Sequence, residues 1–401
     1  MSVSEPSPQD FQQISQDFPL ISLRPVTNAQ HGWAALLLEQ HPAGNLAALA
    51  RLFTELELQE ALCGLPCIVP TAEPQAMTAT LAESFPAASM VLLLPLASCL
   101  TADASAELER LQRLGFRLMV QGMPEPGQTL PAAVTALSVV AVASAGWKNP
   151  PKSLAGPHLA LGVDTPALFA AAQAAGFSRY AGRYPLNPVP AQQQKGPSRA
   201  LLLNLLGLVT SDGDTHKIEE LLKQTPALSY QLLKLVNSVS FSLNTKISNF
   251  GHAIALLGRR QLQRWLQLLL YAQKSGDAQN PLMALAAIRA SLCEALCKAR
   301  GDDREAQERA FMAGMFSLLD ALFAMPLTEI LAPLNLADEV VEAVLRREGS
   351  LGILLALAER SETAPDAAFG ELLASAGINP ADYAHCLVEA CHWTIQVGQG
   401  A

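Results

Sequence analysis

The sequence predicts an α/β barrel followed by an all-helical domain. Between Phe18 and Tyr184, short continuous apolar runs alternate with segments of helical periodicity, which is typical of parallel β/α units. From Ala200 onward, apolar residues recur at the spacing of one helix face, without a convincing strand pattern. A Pro-rich segment at 185–198, PLNPVPAQQQKGPS, separates the two regions and predicts a linker.

The first region, 18–184, follows a polar terminus at 1–17 that is rich in Pro and Ser and that we expect to be flexible. Its repeated strand and helix patterns indicate a parallel sheet with helices outside it, and the number of units suits a barrel. The predicted strands are Leu20–Leu23, Ala34–Leu38, Cys67–Val69, Met90–Leu94, Arg117–Val120, Ser138–Val142, Leu159–Val163 and Ser178–Tyr180. The predicted helices are Leu46–Leu62, Pro74–Ser84, Ala104–Leu114 and Pro166–Ala175.

The second region, 199–401, is expected to form an all-α bundle. Its central stretch, from Thr225 to Ala272, indicates a short helix, a polar turn and two helices that pack back onto the first. The predicted helices are Thr215–Gln224, Pro226–Val236, Ala253–Leu257, Gln261–Tyr271, Pro281–Arg300, Arg304–Phe323, Ala337–Arg346, Leu351–Arg360, Ala367–Ala376 and Pro380–Val397.

Length and composition indicate a helix-rich protein with packed cores. The 401 residues suffice for more than one domain, and 50% of them are hydrophobic while 16% are charged. The apolar runs are too short to span a bilayer and no signal peptide opens the chain, so we expect a cytoplasmic protein without a membrane anchor. The seven cysteines do not suggest a disulfide framework. Cys386 and Cys391, beside His385 and His392, are interpreted as buried thiols next to a partly exposed histidine pair rather than as a zinc site.

Charge is distributed unevenly along the chain. Residues 196–299 hold 11 Lys and Arg against 6 Asp and Glu, whereas residues 300–401 hold 6 against 16. The basic stretch is either a docking face for an acidic partner or the complement of the acidic tail. The net charge of −9 argues against a nucleic-acid partner, for which a basic domain would be expected.

The residue order from 225 to 266 resembles the HDOD domain of bacterial signalling proteins. The matching pieces are TPAL (225–228), LLKLVNSVSF (232–241), Ile247-Ser248 and AIALLGRRQLQRWL (253–266). The likeness continues through FMAGMFSLLDALFAMPLTEIL (311–331) and REGSLGILLALAE (347–359). The first region resembles the EAL-type barrel that precedes an HDOD domain in two-domain signalling proteins, for example at LERLQRLGFRLMV (108–120) and DTPALFAAAQAAGFSRYAGRY (164–184).

The metal-binding positions that the EAL resemblance implies do not carry the family's residues. An active EAL domain hydrolyses cyclic di-GMP with metal ions that carboxylates hold at the strand ends. The implied positions fall on Trp33–Leu37, on the Leu and Pro residues of 91–96, on Gln121-Gly122, on Ala141–Ala143 and on Leu161, and Asp164 is a lone acid. Because a divalent ion needs converging carboxylates, we expect a degenerate EAL-like barrel that binds no metal or cofactor.

The HDOD domain resembles metal-dependent HD phosphohydrolases, in which one helix carries adjacent His and Asp ligands. The corresponding helix here, GMFSLLDAL (314–322), places Ser317-Leu318 at that pair. Asp320 is close by, but we interpret it as a surface or capping acid because no neighbouring histidine completes a ligand set. The sequence therefore predicts no catalytic and no metal-binding residue.

The second region contains one candidate binding site, a basic helix face formed by Arg259, Arg260 and Arg264 beside Trp265. It is either a solvated face with Trp265 turned inward or a docking site, since Arg is favoured at the centres of interfaces. Asn237, at the end of the preceding helix, is a further candidate for partner binding.

The resemblance implies a non-enzymatic adaptor or regulator that acts through other signalling proteins. Two alternatives stay open. One is an enzyme, either a divergent metal-dependent cyclic di-GMP phosphodiesterase or an HD phosphohydrolase, and the other is a module that senses a nucleotide without cleaving it. Neither a membrane nor a nucleic acid is expected as partner, and the identity of the partner, the pathway and the oligomeric state are left open.

Overall fold

A computed structural model describes residues 18–41, 45–101, 103–141, 147–187, 264, 267, 268, 271, 280–334 and 336–400. Contacts divide the chain into two compact units. The first comprises Met1–Asn187 and Glu359–Cys391, and the second comprises Pro188–Ala358 and His392–Ala401. The terminus at 1–17, which the sequence predicts to be flexible, most of the predicted linker at 185–198 and the helices predicted between 215 and 257 lie outside the described residues.

The first unit contains a closed barrel of eight strands in the order of the chain. The strands are β1 (Ile21–Thr27), β2 (Trp33–Gln40), β3 (Cys67–Pro70), β4 (Met90–Pro95), β5 (Arg117–Gln121), β6 (Ala136–Val140), β7 (Leu159–Leu161) and β8 (Arg179–Ala181). The accompanying helices are α1 (Leu46–Thr54), α2 (Leu58–Ala61), α3 (Ala79–Glu83), α4 (Leu96–Cys99), α5 (Ala104–Arg113) and α6 (Pro166–Ala174). The predicted barrel is confirmed.

The expectation of a parallel sheet was wrong for one strand, because β1 is antiparallel to both β2 and β8. The reason lies in the short connection between Thr27 and Trp33, since a parallel crossover needs a dozen or more residues. Asn28 closes this hairpin: its side-chain oxygen accepts the backbone N–H groups of Gln30 at 2.9 Å and of Gly32 at 3.0 Å. The remaining neighbouring strands, from β2 to β8, are paired in parallel.

An apolar cluster to which all eight strands contribute fills the barrel interior. Its members alternate along the strands, as residues on one face must. They are Val26, Ala35, Leu37, Ile68, Val91, Leu93, Met119, Ala136, Leu159 and Ala181. A second cluster, which includes Phe169 and Ala172 of α6 and Tyr180 of β8, lies outside the sheet. The barrel interior is therefore a packed core.

Residues 359–391 belong to the barrel unit, although the sequence assigned all of 199–401 to the helical domain. They hold helix α13 (Ala367–Ser375) and the first part of α14 (Pro380–Gly400). Asp366 caps α13 by accepting the backbone N–H of Phe369 at 2.9 Å. A Cβ built on Gly370 would lie 3.3 Å from the Leu20 side chain, which places α13 against the start of the barrel.

Helices dominate the described part of the second unit, as the sequence predicts. They are α7 (Pro281–Ala299), α8 (Arg304–Phe316), α9 (Leu319–Phe323), α10 (Leu327–Leu331), α11 (Asp338–Arg346) and the greater part of α12 (Gly349–Arg360). The predicted helix Arg304–Phe323 is divided into α8 and α9 at Ser317 and Leu318. None of the helices in the described ranges combines the length and the apolar character that crossing a bilayer requires.

Helices α7 and α8 begin at side-chain caps and approach each other closely. Asn280 caps α7 through Leu282 N–H at 3.1 Å, and Asp303 caps α8 through Ala306 N–H at 2.8 Å. A Cβ built on Gly314 of α8 would lie only 2.6 Å from the Cα atom of Ala290 in α7. Glycine at this position lets the two backbones come together.

Candidate functional site

The barrel strands carry apolar side chains at positions where the EAL resemblance implies metal ligands. Leu93 in β4 is 2% exposed and belongs to the interior cluster, and Leu161 at the end of β7 packs against the same cluster. Neither side chain offers a donor atom to a metal ion. Leu37, in the β2 segment implied by the resemblance, is likewise part of the apolar interior.

Gln121 and Gly122 lie at the end of β5, where the resemblance implies paired aspartates. The Gln121 side chain is exposed. Gly122 has φ = 126°, which favours glycine, and its N–H donates to the Ser138 carbonyl at 2.8 Å. This pair thus continues the sheet and turns the chain. Of the Ala141–Ala143 positions, only Ala141 is among the described residues.

Asp164, the lone acid of the expected site, has a structural partner. Its Oδ1 accepts the backbone N–H of Arg183 at 2.9 Å, and its carbonyl accepts the side-chain amide of Asn187 at 2.8 Å. These bonds connect the loop after β7 to the segment after β8. Within the ranges that the structure describes, no group of three or more His, Cys, Asp or Glu residues is arranged to hold a metal ion. The described residues at the implied positions do not fit one.

In the helical unit, Ser317 takes part in a buried polar cluster instead of a metal site. Ser317 is 4% exposed, and its hydroxyl donates to the Gly314 carbonyl at 2.7 Å. The guanidinium of Arg289, which is 5% exposed, donates to the same hydroxyl oxygen at 3.1 Å. A buried side-chain cation from α7 is therefore bonded to the residue that the resemblance places at the metal-binding pair.

Tyr271 and Asp320 lie near this cluster. The Tyr271 hydroxyl donates to the Met315 carbonyl at 2.6 Å, and burial raises the pKa of Tyr271 far above its usual range. Asp320 is exposed, and its carboxylate accepts the N–H of Ala321 at 2.8 Å in the first turn of α9. The interpretation of Asp320 as a surface residue at a helix start agrees with this geometry.

Arg264 is the one candidate for partner binding that lies among the described residues. Its guanidinium forms an ion pair with Glu294 of α7 and lies over the ring of Phe311, 4.0 Å from the ring centroid. Its side chain is 20% exposed. Arg264 thus contacts its own domain, and its partner Glu294 precedes the acidic tail at 300–401. Arg259, Arg260, Trp265 and Asn237 lie outside the described residues, and the role of all five in binding stays a prediction.

A cavity of about 120 Å³ opens beside Arg264. We call it the Phe311 pocket, and its lining residues are Arg264, Gln267, Glu305, Glu308, Arg309, Phe311 and Met312. The Phe311 ring also meets Trp393 edge-on, with 5.7 Å between the ring centroids. Sequence reasoning missed this pocket. In the sequence, α8 shows two acids near its start, Glu305 and Glu308, followed by an apolar run from Ala310 to Phe316, and acids near a helix start are common in any protein.

The cysteines follow the interpretation drawn from the sequence. Cys386 and Cys391 are 3% and 0% exposed, whereas the His385 side chain is 58% exposed and faces Glu389 at 3.4 Å. Burial raises the pKa of Cys391 well above its usual range. A buried protonated thiol is a poor nucleophile and a poor metal ligand. These cysteines are core residues.

The helical region matches a known family. Residues 202–347 match the HDOD domain family. This chain contains an HDOD domain. The match includes all of the pieces between 225 and 266 on which the resemblance was based, and it contains Arg264, Arg289 and Ser317. The two-part arrangement expected from the sequence, a barrel followed by an HDOD domain, is confirmed.

Known proteins are similar to parts of this chain. A cyclic di-GMP phosphodiesterase of Vibrio cholerae, CdgJ, is 32% identical over 243 residues, which cover 60% of this chain and 56% of CdgJ. The chain therefore spans little more than half of that relative's length. A candidate phosphohydrolase from Shewanella amazonensis aligns at a TM-score of 0.38 and 16% identity, covering 51% of this chain and 94% of that chain. The EAL domain of Xanthomonas citri FimX in complex with cyclic di-GMP aligns at a TM-score of 0.33 and 13% identity. The alignment covers 46% of this chain and 93% of the FimX domain.

Proposed function

We propose that this protein is a non-enzymatic regulator of cyclic di-GMP signalling that acts through contacts with other proteins in the cytoplasm. Its relation to CdgJ, which is named a cyclic di-GMP phosphodiesterase, supports the pathway. The HDOD domain match supports membership of the same class of two-part signalling proteins. The proposed absence of catalysis rests on the chemistry of the barrel interior.

The observation that carries the proposal is the apolar side chain at each described position of β4 and β7 where a metal-binding acid is expected. Hydrolysis of a phosphodiester by metal ions requires carboxylates that hold the ions against the substrate. Leu93 lies in the packed interior and Leu161 packs against it, and hydrocarbon at these positions stabilises the fold while it removes the polar ligands. The carboxylate of Asp164 is held by the Arg183 N–H, at 2.9 Å.

The buried Arg289–Ser317 contact in the HDOD domain also supports a protein without metal-dependent hydrolysis. Arg289 places a positive charge against Ser317, at 3.1 Å, inside the helical unit. A divalent cation brought to this position would be repelled by the guanidinium, since like charges interact strongly at low dielectric. Ser317 uses its hydroxyl hydrogen on the Gly314 carbonyl and its oxygen on Arg289. This cluster favours a structural role for the helix core over hydrolysis.

A turnover assay tests the proposal. The purified full chain, with Mg²⁺ or Mn²⁺, should convert cyclic di-GMP no faster than a protein-free control, while an active EAL phosphodiesterase in parallel shows that the assay works. Calorimetric titration with cyclic di-GMP then measures whether the protein binds the nucleotide without cleaving it. Metal-dependent turnover that is lost on Asp164→Asn would overturn the proposal.

The name of the relative CdgJ favours a second candidate, a divergent phosphodiesterase. For that candidate the missing carboxylates would have to come from side chains other than those at the implied strand positions. The same assay decides between the two candidates. A binding partner can be sought at the same time by cross-linking the full chain in cells and identifying the linked peptides.

A further inference from the structure

Helix α14 (Pro380–Gly400) belongs to both compact units. Its residues 380–391 group with the barrel and its residues 392–400 group with the second unit, so the division of the chain falls inside one helix, between Cys391 and His392. The HDOD match ends at residue 347, which leaves α14 outside it. A single element of secondary structure therefore contributes to two separate units.

The first half of α14 is packed within the barrel unit. The buried ring of Tyr383 meets the buried ring of Phe369 of α13 edge-on, with 5.0 Å between the ring centroids. Cys391, at the end of this half, lies near Cys67 at the start of β3. Burial raises the pKa of the Cys391 thiol, and the neighbouring Cys67 thiol raises it further. This half of the helix thus packs against α13 and reaches β3.

The second half of α14 is packed within the second unit. The Trp393 ring meets Phe311 of α8 edge-on, with 5.7 Å between the ring centroids, and Phe311 lies inside the HDOD match. Thr394 and Ile395, which follow Trp393, are buried. Cys391 and Trp393, two positions apart in the same helix, are thus held by different units.

The backbone of α14 makes its two halves depend on each other. In an α-helix each N–H donates to the carbonyl four residues earlier, so hydrogen bonds cross the boundary between Cys391 and His392. If residues 392–400 left the helical state, the last carbonyls of the first half would lose their partners. Ala390 and Cys391 are buried there, and a buried carbonyl without a partner is costly. We therefore expect the two halves to open together.

We propose that α14 couples the HDOD domain to the barrel. A partner or a conformational change that loosens the contact between Trp393 and Phe311 also loosens α13 and residues 380–391, and one that tightens this contact stabilises them. Coupling of this kind is reciprocal, because it is one free energy shared by two sites. The proposal goes beyond the proposed function, since it holds whether or not the chain cleaves cyclic di-GMP.

Hydrogen exchange of the full chain, followed by mass spectrometry, tests the coupling. In a Trp393→Ala variant, peptides of α8 should exchange faster, and so should peptides of α13 and of residues 380–391. The expected factor in these barrel peptides is about fivefold, which corresponds to the loss of one edge-on aromatic pair. Trp393→Phe keeps a ring and should give the same pattern with a smaller factor, which preserves the test if the alanine variant unfolds.

Leu282→Ala is the control within the second unit. Leu282 is buried in the first turn of α7, about 18 Å along that helix from Glu294, whose partner Arg264 lies over Phe311. Its truncation should speed exchange in peptides of α7 and leave α13 and residues 380–391 unchanged. Melting curves of all variants show whether the fold is kept.

A substitution in the barrel unit tests the reverse direction. Phe369→Leu removes the ring that Tyr383 meets. Because coupling is reciprocal, exchange should become faster in residues 392–400 as well as in α13.

Three results would overturn the proposal. They are faster exchange only in α8 and residues 392–400 of Trp393→Ala, an equal effect of Leu282→Ala on the barrel peptides, or unchanged exchange of residues 392–400 in Phe369→Leu. The second result would assign the effect to the general stability of the second unit rather than to α14. Turnover of cyclic di-GMP would defeat the proposed regulator and leave this coupling intact.

Discussion

Replacing Gly314 by alanine tests the closest approach of helices α7 and α8. The added Cβ would lie 2.6 Å from Ala290 Cα and 2.7 Å from the Arg289 carbonyl oxygen. Both contacts are with backbone, so no side-chain rotation can relieve them. The helices would have to separate by about 1 Å to restore ordinary carbon–carbon contact, with loss of packing along their shared surface.

The expected loss of stability follows from two opposed effects. Overpacking of a tight core costs about 1–3 kcal/mol, and a clash with backbone belongs at the upper end. Alanine stabilises a helix interior by about 1 kcal/mol relative to glycine. The net effect is a loss of about 2 kcal/mol in the HDOD domain. Hydrogen exchange followed by mass spectrometry on the full chain should then show about thirtyfold faster exchange in peptides of α8, because local protection follows the free energy of opening.

Gly370→Ala is the matched control. Gly370 is also inside a helix, but its added Cβ would meet only the flexible Leu20 side-chain tip, at 3.3 Å. Peptides of α13 should therefore exchange no faster than in the wild type, and the helix gains up to about 1 kcal/mol. If Gly314→Ala leaves the exchange of α8 unchanged or slows it, the assigned packing of α7 against α8 is refuted.

Three further predictions concern the barrel unit. Burial lowers the pKa of His158 below its ordinary value of 6.5, so at lower pH the unfolded chain takes up a proton that the folded chain does not. The free energy of unfolding, measured with denaturant, should therefore fall as pH decreases below 6.5, and it should fall less in a His158→Gln variant. Gly182→Ala should destabilise the barrel by at least about 2 kcal/mol in the same assay, because its Cβ would lie 2.3 Å from the Val163 carbonyl oxygen. Proteolysis within 185–198 should leave two fragments that co-elute in gel filtration, since residues 359–391 group with the barrel, and separate elution would contradict that grouping.

The sequence by itself determined the positions of the strands and of most described helices. Most strands contain a short apolar run, as at β4 (Met90–Pro95), and such a run remains apolar whatever it pairs with. Helix starts were equally local, because Asn280 followed by Pro281 caps and begins α7 without help from distant residues. The sequence also indicates that β1 is antiparallel to β2, because the connection between Thr27 and Trp33 is too short for a parallel crossover.

Only the tertiary structure shows which distant residues the charged and apolar side chains contact. Arg264 looked like part of an exposed basic face, but its partners Glu294 and Phe311 are 30 and 47 positions away in the chain. The same holds for Arg289 and Ser317, which are 28 positions apart. Helical and strand periodicity report which face of an element is buried. They do not report what lies across that face, since that depends on how separate elements pack.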